Sequence, residues 1–291
     1  MIVGKTKSER EQILTEAFEI LRRIDAKVDW RNRESEITRV NEKGFVESQE
    51  VSPGIFGVLQ KSVEFFEKTG GAFDITVLPL LKVWGFDGED PELPPPEEIQ
   101  NLLPRIGSNH LLLDPKRRKV GFQVADMGIE LGGIARGYAC DEVIQFLKAR
   151  GVNGGLVNIG GTIGAFGNSP EGKPWRVGLR HPRDPTRTLR VVSLSNEAVS
   201  TRGDYEQFFV VNGRRYSHML NPRTGYPASE SVAVSVIAPS AFLADALSTS
   251  FFVLGPEKTP FLAKQYREAR WYLTYFTNGD HFKTLSSEPA S

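Results

Sequence analysis

The chain has 291 residues, of which 40% are hydrophobic and 25% are charged, and its formal net charge at pH 7 is zero. A chain of this length and composition can bury a substantial core, in one large domain or two small ones. No basic run or stripe is present, which argues against a nucleic-acid partner or an anionic membrane surface. No stretch approaches the roughly 20 apolar residues of a membrane span, so we expect no transmembrane segment in this chain.

Hydrophobic periodicity predicts two helices near the N-terminus. The first covers residues 8–26, with Ser8 as its N-cap, and the second covers residues 53–68 and ends before Gly70 and Gly71.

The middle of the chain changes character at a Pro- and acid-rich stretch, residues 88–97, which predicts a loop. Residues 111–114 and 119–123 then predict a hairpin. A third helix is predicted over residues 137–151 and contains Cys140. We interpret this one cysteine as a buried small residue rather than a nucleophile.

The rest of the chain is mostly strand-like, with one more helix after Pro239. Helices and mostly antiparallel strands without strict β-α-β alternation predict an α+β fold. Residues 286–291 are expected to form a flexible tail. The predicted strands are 155–158, 175–179, 189–194, 207–211, 232–237 and 271–276.

The helix after Pro239 carries a carboxylate and a hydroxyl within the apolar stretch LADALSTSFFVL, residues 243–254. Asp245 and Thr249 are four positions apart and therefore share one face. One interpretation is an amphipathic helix with a solvated polar face. The other is a buried site for a hard cation such as Mg²⁺, which prefers oxygen ligands. A helix that is apolar nearly all round favours the second interpretation, because a buried carboxylate needs a partner.

Three glycine clusters, at residues 70–77, 130–137 and 158–167, would let the backbone approach a phosphate closely. None of them forms a P-loop or a Rossmann turn, and tight turns explain each cluster equally well. Residues 202–204 read Arg-Gly-Asp, which we interpret as a turn between strands capped by Asp204 rather than as an adhesion motif.

His218 lies between a predicted strand and the turn at 221–225, so it is either a general base or a structural histidine. The other three histidines, His110, His181 and His281, are expected at the surface.

Read together, these segments resemble one family, the ApbE family of FAD:protein FMN transferases. The motifs occur in family order over residues 10–276, and no single one of them is specific. They are SEITRVN at 35–41, TGGAFDITVLPLLKVWGF at 69–86, LGGIARGY at 131–138, VNIGG at 157–161, GDY at 203–205, YSHMLNPRTG at 216–225 and ADALST at 244–249.

The resemblance implies a single T-fold-related α+β domain over residues 1–285, which binds FAD as a substrate with Mg²⁺ at the pyrophosphate. It implies transfer of FMN to a threonine hydroxyl of an acceptor flavoprotein subunit, of the redox-pump or electron-transfer type, with release of AMP. Two alternatives stay open: a Mg²⁺-dependent FAD pyrophosphatase, in which water replaces the threonine, and a non-catalytic flavin-binding protein.

The same resemblance assigns roles to individual residues. Asp245, Thr249 and a backbone carbonyl, that of Gly133, would bind Mg²⁺, and His218 would be the catalytic base. The positions implied to contact FAD are Trp30, Ala72, Phe73, Asp74, Glu130, Arg136 and Leu220.

The sequence also departs from the family pattern. Glu130 stands where Asp is usual, Arg136 where Lys or Glu is common, and Thr162 where an acidic residue is common. Arg202 replaces the serine of Thr-Ser-Gly and places a cation in a turn that we expect near the site.

The family's N-terminal strand, which contains Met-Gly-Thr and follows a secretion or lipoprotein signal, has no counterpart here, so we expect that strand to be missing. The resemblance implies an extracytoplasmic protein, periplasmic and membrane-anchored in full-length form. The chain shows no signal, which leaves a cytoplasmic location open.

Overall fold

The computed structural model describes residues 1–88, 91–277 and 281–288. The helices are α1 (Lys7–Val28), α2 (Glu36–Lys43), α3 (Pro53–Lys68), α4 (Leu78–Val83), α5 (Pro96–Leu102), α6 (Ala135–Ala149) and α7 (Ala241–Ala263). The strands are β1 (Ile2–Val3), β2 (Gln49–Glu50), β3 (Leu111–Asp114), β4 (Lys119–Phe122), β5 (Gly154–Ile159), β6 (Thr162–Phe166), β7 (Trp175–Arg180), β8 (Thr188–Leu194), β9 (Ala198–Gly203), β10 (Phe208–Val211), β11 (Arg214–Ser217), β12 (Ala233–Ala238), β13 (Arg270–Phe276) and β14 (Phe282–Ser286).

A seven-stranded antiparallel sheet organises the fold, in the order β1-β5-β6-β9-β12-β13-β14. Helices α6 and α7 pack against one face of it. The β7–β8 hairpin adds the apolar side chains of Trp175 and Val192 to a core cluster shared with Val199 and Ile237 of the sheet. Strand β12 is buried at every residue, which explains its continuous run of small and β-branched apolar side chains. The predicted α+β fold is confirmed.

Helix α7 is buried rather than amphipathic. Its N-terminus is capped by Asp141 of α6, whose carboxylate accepts hydrogen bonds from the backbone N–H groups of Ala241 (2.8 Å) and Phe242 (2.9 Å). Gly255 interrupts the helical path with φ of 72°, a conformation that glycine adopts readily. Asp245, in the segment before this break, has no exposed surface, so the interpretation of its helix face as solvated is wrong.

Several predicted boundaries shift. Helix α1 begins after Thr6, whose side chain forms a capping box with Glu9, so Ser8 is not the N-cap. The proline-rich stretch already begins helix α5 at Pro96, because proline is well tolerated in the first turn. Strand β6 was not predicted, and β9 extends the strand expected before the Arg-Gly-Asp turn as far as Gly203; the two strands lie next to each other in the centre of the large sheet.

The two chain ends differ from the expectations in different ways. Ile2 and Val3 form a short strand that pairs with Gly155 and Gly154 of β5, and the expected absence of the Met-Gly-Thr strand stays a prediction. Ser286 lies in β14, and the following residues to 288 also hold a defined position, so the predicted tail is wrong for 286–288. Residues 289–291 lie outside the described residues.

Candidate functional site

A cleft opens beside α7 and encloses about 890 Å³, including its open mouth. Of the eleven residues that the sequence singled out, ten line this cleft. The exception is Asp245, which is fully buried behind Arg202, a residue that does line the cleft. The ten are Trp30, Ala72, Phe73, Asp74, Glu130, Gly133, Arg136, His218, Leu220 and Thr249.

The carboxylate of Asp245 is satisfied entirely by the protein. Its Oδ1 accepts hydrogen bonds from Arg202 Nη2 (2.6 Å), Ser200 Oγ (2.9 Å) and Thr162 Oγ1 (3.2 Å). Its Oδ2 accepts one from the backbone N–H of Gly137 (2.9 Å). Burial raises the pKa of this carboxyl, and the Arg202 charge opposes that rise. The guanidinium and the Gly137 N–H can only donate, so the arrangement favours the ionised carboxylate.

Side chains along a β-strand point to the two faces of the sheet in turn, and this alternation places the partners of Asp245. Ser200 and Arg202 are two apart in β9 and therefore project from the same face. Thr162 of β6 is directly opposite Ser200 in the antiparallel register. Gly137 lets α6 approach α7, because a Cβ at this position would lie 2.4 Å from the carbonyl oxygen of Ala241.

Arg202 is the cation of this cluster, and its side chain is 2% exposed. Besides its bond to Asp245, its Nε donates to Thr249 Oγ1 (3.1 Å) and its Nη2 donates to the Gly132 carbonyl (3.1 Å). The Thr249 hydroxyl in turn lies 3.3 Å from the Gly133 carbonyl oxygen. The predicted turn around Arg202 is wrong, since Arg202 lies within strand β9.

The predicted Mg²⁺ ligands do come together, but around a guanidinium. The donor set of carboxylate, hydroxyl and carbonyl oxygens suits Mg²⁺ chemically. However, Asp245 Oδ1 and Thr249 Oγ1 already accept hydrogen bonds from Arg202. A dication placed about 4 Å from a guanidinium would be repelled by roughly 8 kcal/mol at an effective dielectric constant of about 20. With Arg202 in this position, the residues present do not fit a resident Mg²⁺.

Over residues 1–88, 91–277 and 281–288, no cluster of three or more His, Cys, Asp or Glu side chains is arranged to hold a metal ion.

Asp74, which also lines the cleft, is a buried carboxylate with an unused oxygen. Its Oδ1 accepts hydrogen bonds from the Thr76 backbone N–H (2.8 Å), Thr76 Oγ1 (2.7 Å) and Ser108 Oγ (2.7 Å). Its Oδ2 has no hydrogen-bond partner among the described residues. Burial raises the pKa of this carboxyl, and the three hydrogen bonds oppose the rise. An orphaned acceptor in a cleft wall fits a ligand that brings a donor.

Two further predicted residues of the cleft each hold a glycine turn, and the turn at 132–133 itself lines the cleft. Glu130 Oε1 accepts a hydrogen bond from the Gly132 backbone N–H (2.6 Å), and burial raises the pKa of Glu130. Arg136 Nη1 donates to the Gly160 carbonyl (2.7 Å), which fixes the turn between β5 and β6. Gly160 has φ of 54°, so this turn requires the left-handed region that favours glycine.

His218 lies just beyond β11 and lines the cleft. Its Nδ1 is 3.2 Å from the Gln207 carbonyl oxygen, and its ring meets Phe86 edge-on. Burial lowers the pKa of His218 to about 4, and the charge of Arg202 contributes to the lowering. The imidazole is therefore neutral at pH 7, and donation from Nδ1 to the Gln207 carbonyl leaves Nε2 free to accept a proton.

The predicted aromatic and apolar positions all line the cleft. The ring of Trp30 has the Arg31 guanidinium 4.4 Å from its centroid and Lys82 Nζ at 5.5 Å, so an aromatic ligand would meet a positively charged surround. Ala72 and Phe73 are buried side chains of the cleft lining, and Leu220 closes the turn with a bridge to Pro227. Their contacts to FAD stay predictions.

Other sequence interpretations are corrected or confirmed. Asp204 does not cap a turn but accepts two hydrogen bonds of 2.6 Å from the guanidinium of Arg183. Cys140 is buried, and burial raises its pKa to about 12, so it is no nucleophile. Of the three histidines expected at the surface, only His281 is exposed; His110 and His181 are half-buried.

Sequence reasoning missed four partners of Asp245. Thr162 and Arg202 were noted only as departures from the family pattern, and Ser200 and Gly137 carried no functional interpretation. A strand prediction over residues 198–203 would have placed Ser200 and Arg202 on one face, and this was the available signal.

Comparisons with known proteins identify the family of this chain. The sequence profile of the ApbE family matches residues 2–273. The chain is 33% identical over 261 residues to the FAD:protein FMN transferase of Escherichia coli (strain K12), which covers 88% of this chain and 74% of the relative. It is 32% identical over 292 residues to the protein of the same name from Haemophilus influenzae, covering 98% of this chain and 84% of the relative.

Solved structures give the same result. The crystal structure of the ApbE protein from Thermotoga maritima has a TM-score of 0.88 and 33% identity, over 96% of this chain and 91% of that one. The apo form of the flavinyl transferase ApbE from Pseudomonas stutzeri has a TM-score of 0.86 and 33% identity, over 96% and 87%. With a family profile that matches nearly its whole length and relatives above 30% identity, this chain belongs to the ApbE family.

Proposed function

We propose that this chain transfers the FMN half of FAD to a threonine hydroxyl of an acceptor flavoprotein and releases AMP. The observation that carries the proposal is the convergence of ten sequence-predicted positions on one cleft, with a neutral histidine among them. The curated relatives named FAD:protein FMN transferase support the same reaction.

The reaction balances without any redox partner. The threonine Oγ forms a bond to the FMN phosphorus, the bond from that phosphorus to the AMP oxygen breaks, and the hydroxyl proton passes to Nε2 of His218. His218 is suited to this step because it is neutral at pH 7. Phosphoryl transfer depends mainly on positioning and on neutralising charge, and the cationic side chain that reaches the cleft from the Asp245 cluster is Arg202.

Two features of the cleft would contact the substrate. The orphaned Asp74 Oδ2 offers an acceptor to a donor group of the ligand. The glycine turn at 132–133, which lines the cleft, would bring backbone close to the pyrophosphate. Magnesium, which the resemblance assigns to Gly133, Asp245 and Thr249, enters none of these steps, because those oxygen atoms already bond Arg202 or each other.

The test is a labelling assay in Mg²⁺-containing buffer with FAD and an acceptor domain that carries a target threonine. We expect covalent flavin on the acceptor, equimolar AMP, and no labelling of an acceptor in which that threonine is valine. His218→Gln should slow transfer about 10²–10⁴-fold, the usual contribution of a general base. His281→Gln, at an exposed histidine, is the matched control and should behave as wild type.

Two results would contradict the proposal. Release of FMN and AMP without labelled acceptor would show a pyrophosphatase, in which water takes the place of threonine. FAD that binds but stays intact would show a flavin-binding protein without this activity.

We also propose an extracytoplasmic location, which the resemblance to the family supports. Among the described residues, no helix combines the length and the apolar character needed to cross a bilayer. Fractionation of cells that express the native gene tests this proposal, and recovery solely with cytoplasmic markers would contradict it.

A further inference from the structure

We infer that Arg202 is a built-in cation that stands in the place of a divalent metal, so that this chain handles the FAD pyrophosphate without bound Mg²⁺. The inference rests on the proposed function for its catalytic part. Its binding part, the exclusion of a metal from the Asp245 cluster, can be tested without any turnover.

The first observation is the set of atoms that Arg202 engages. Its guanidinium bonds a carboxylate oxygen of Asp245, the hydroxyl of Thr249 and the carbonyl of Gly132. A carboxylate, a hydroxyl and a carbonyl are the oxygen types that a hard cation would take. One positively charged group therefore already occupies the centre of this donor set.

The second observation is that the position of Arg202 is built into the sheet. Its strand, β9, pairs on one side with β6 and on the other with β12, where Arg202 faces Val234. The side chain is 2% exposed and its ion-pair partner is fully buried. Breaking the pair to admit a metal would leave a buried guanidinium without its counter-charge, which is strongly unfavourable.

The third observation is that the guanidinium retains donor capacity toward the cleft. Within the part of the chain that the structure describes, the hydrogen bonds of Arg202 use Nε and Nη2, and none uses Nη1. Arg202 also lines the cleft. A guanidinium donates directional hydrogen bonds to phosphate oxygens, which makes it a suitable partner for a pyrophosphate.

A purely structural ion pair is the competing explanation, and it makes a different prediction. If Arg202 only braced the core, catalysis would still require a divalent cation bound elsewhere in the cleft, and chelation would stop it. If Arg202 takes the metal's role, chelation has no effect, and shortening the side chain opens the oxygen cluster to a metal.

The experiment compares wild type, Arg202→Ser and Arg176→Ser. Arg176 is an exposed arginine of β7 and serves as the matched control. Binding of Mn²⁺ to each protein is titrated by electron paramagnetic resonance, with and without ADP, against a protein-free ADP background. In parallel, FMN transfer is measured in EDTA and in Mg²⁺.

We expect wild type and Arg176→Ser to bind no Mn²⁺ above background and to turn over equally in EDTA and in Mg²⁺. Arg202→Ser should bind one Mn²⁺ per chain. In EDTA it should be about 10²–10³-fold slower than wild type, the usual effect of losing one electrostatic donor, and Mg²⁺ should restore part of the rate.

Stoichiometric Mn²⁺ binding by wild type, or loss of wild-type transfer in EDTA, would overturn the inference. Failure of a folded Arg202→Ser protein to bind Mn²⁺ would also overturn it, because something other than Arg202 would then exclude the metal. If Arg202→Ser does not fold, the wild-type measurements decide. If no protein shows transfer, the proposed function fails while the Mn²⁺ titration still tests the metal exclusion.

Discussion

Two polar groups at the cleft differ in how completely the protein satisfies them. In the first, which we call the Asp245 wall, Arg202 and Thr249 line the cleft, whereas Thr162, Ser200 and Asp245 are buried and do not, and both oxygens of the Asp245 carboxylate have protein donors. In the second, which we call the His218 wall and which consists of Asp74, Glu130 and His218, Asp74 Oδ2 has no hydrogen-bond partner among the described residues.

This difference in hydrogen bonding distinguishes residues that hold the fold from residues that bind a ligand. A satisfied buried network fixes its members in one geometry, whereas an unsatisfied buried group costs free energy until a ligand supplies its partner. We therefore assign charge and geometry to the Asp245 wall, and ligand recognition and proton transfer to the His218 wall.

The largest effect is expected from a substitution that removes the charge of Asp245. Asp245→Asn keeps the shape but removes the charge opposite Arg202, and the free energy of unfolding should fall by about 3–5 kcal/mol. Urea denaturation followed by circular dichroism measures this. The control is Glu47→Gln, whose carboxylate is 77% exposed and 4.0 Å from Lys119, and it should change stability by less than about 1 kcal/mol. Equal losses in the two variants would contradict the distinction between the walls.

The next effect concerns the backbone contact behind Asp245. Gly137→Ala would place a Cβ 2.4 Å from the Ala241 carbonyl oxygen and 2.8 Å from the Asp245 Cβ, so α6 and α7 must move apart. We expect a loss of about 1–3 kcal/mol in the free energy of unfolding. Gly57→Ala in α3 meets nothing within 4 Å and should gain up to about 1 kcal/mol from helix propensity. A Gly137→Ala protein as stable as wild type would show that the close approach is not required.

The sequence predicted single elements better than their assembly. The spacing of Asp245 and Thr249 and the apolar surround of their helix were enough to suggest a buried polar pair. The structure confirms the burial of Asp245, whereas Thr249 is half-buried and lines the cleft. The partner of that pair could not be predicted in the same way. Arg202 is 43 positions from Asp245 in the sequence, and the register of strand β9 brings the two side chains together. The sequence Thr-Arg-Gly-Asp predicted a turn at this place instead of a strand.

For the cleft, too, the sequence predicted the individual residues better than their arrangement. Residues matched by motif were predicted to gather around FAD, and they line one cleft because the glycine turns and β-strand ends bring distant segments together. The orphaned oxygen of Asp74 and the lowered pKa of His218 depend on burial, which a linear sequence does not contain.

The smallest expected effect is an absence of pH dependence. Because the pKa of His218 is lowered from 6.5 to about 4, the unfolded chain takes up this proton first, so its contribution to stability is complete above pH 6.5 and is lost as pH falls toward 4. We expect kcat/KM for FMN transfer to show no His218-dependent acid limb between about pH 6 and 8. Initial rates at constant ionic strength measure this. A limb near pH 6.5 that disappears in His218→Gln would contradict the proposed burial.

The most direct measurement is a crystal structure of the wild-type chain soaked with FAD and Mn²⁺, read by anomalous scattering at the manganese edge. Our account predicts the pyrophosphate beside Arg202, the flavin between the two walls, and no anomalous peak at Asp245. A manganese peak bonded to Asp245 and Thr249, with the guanidinium of Arg202 displaced from both, would contradict it.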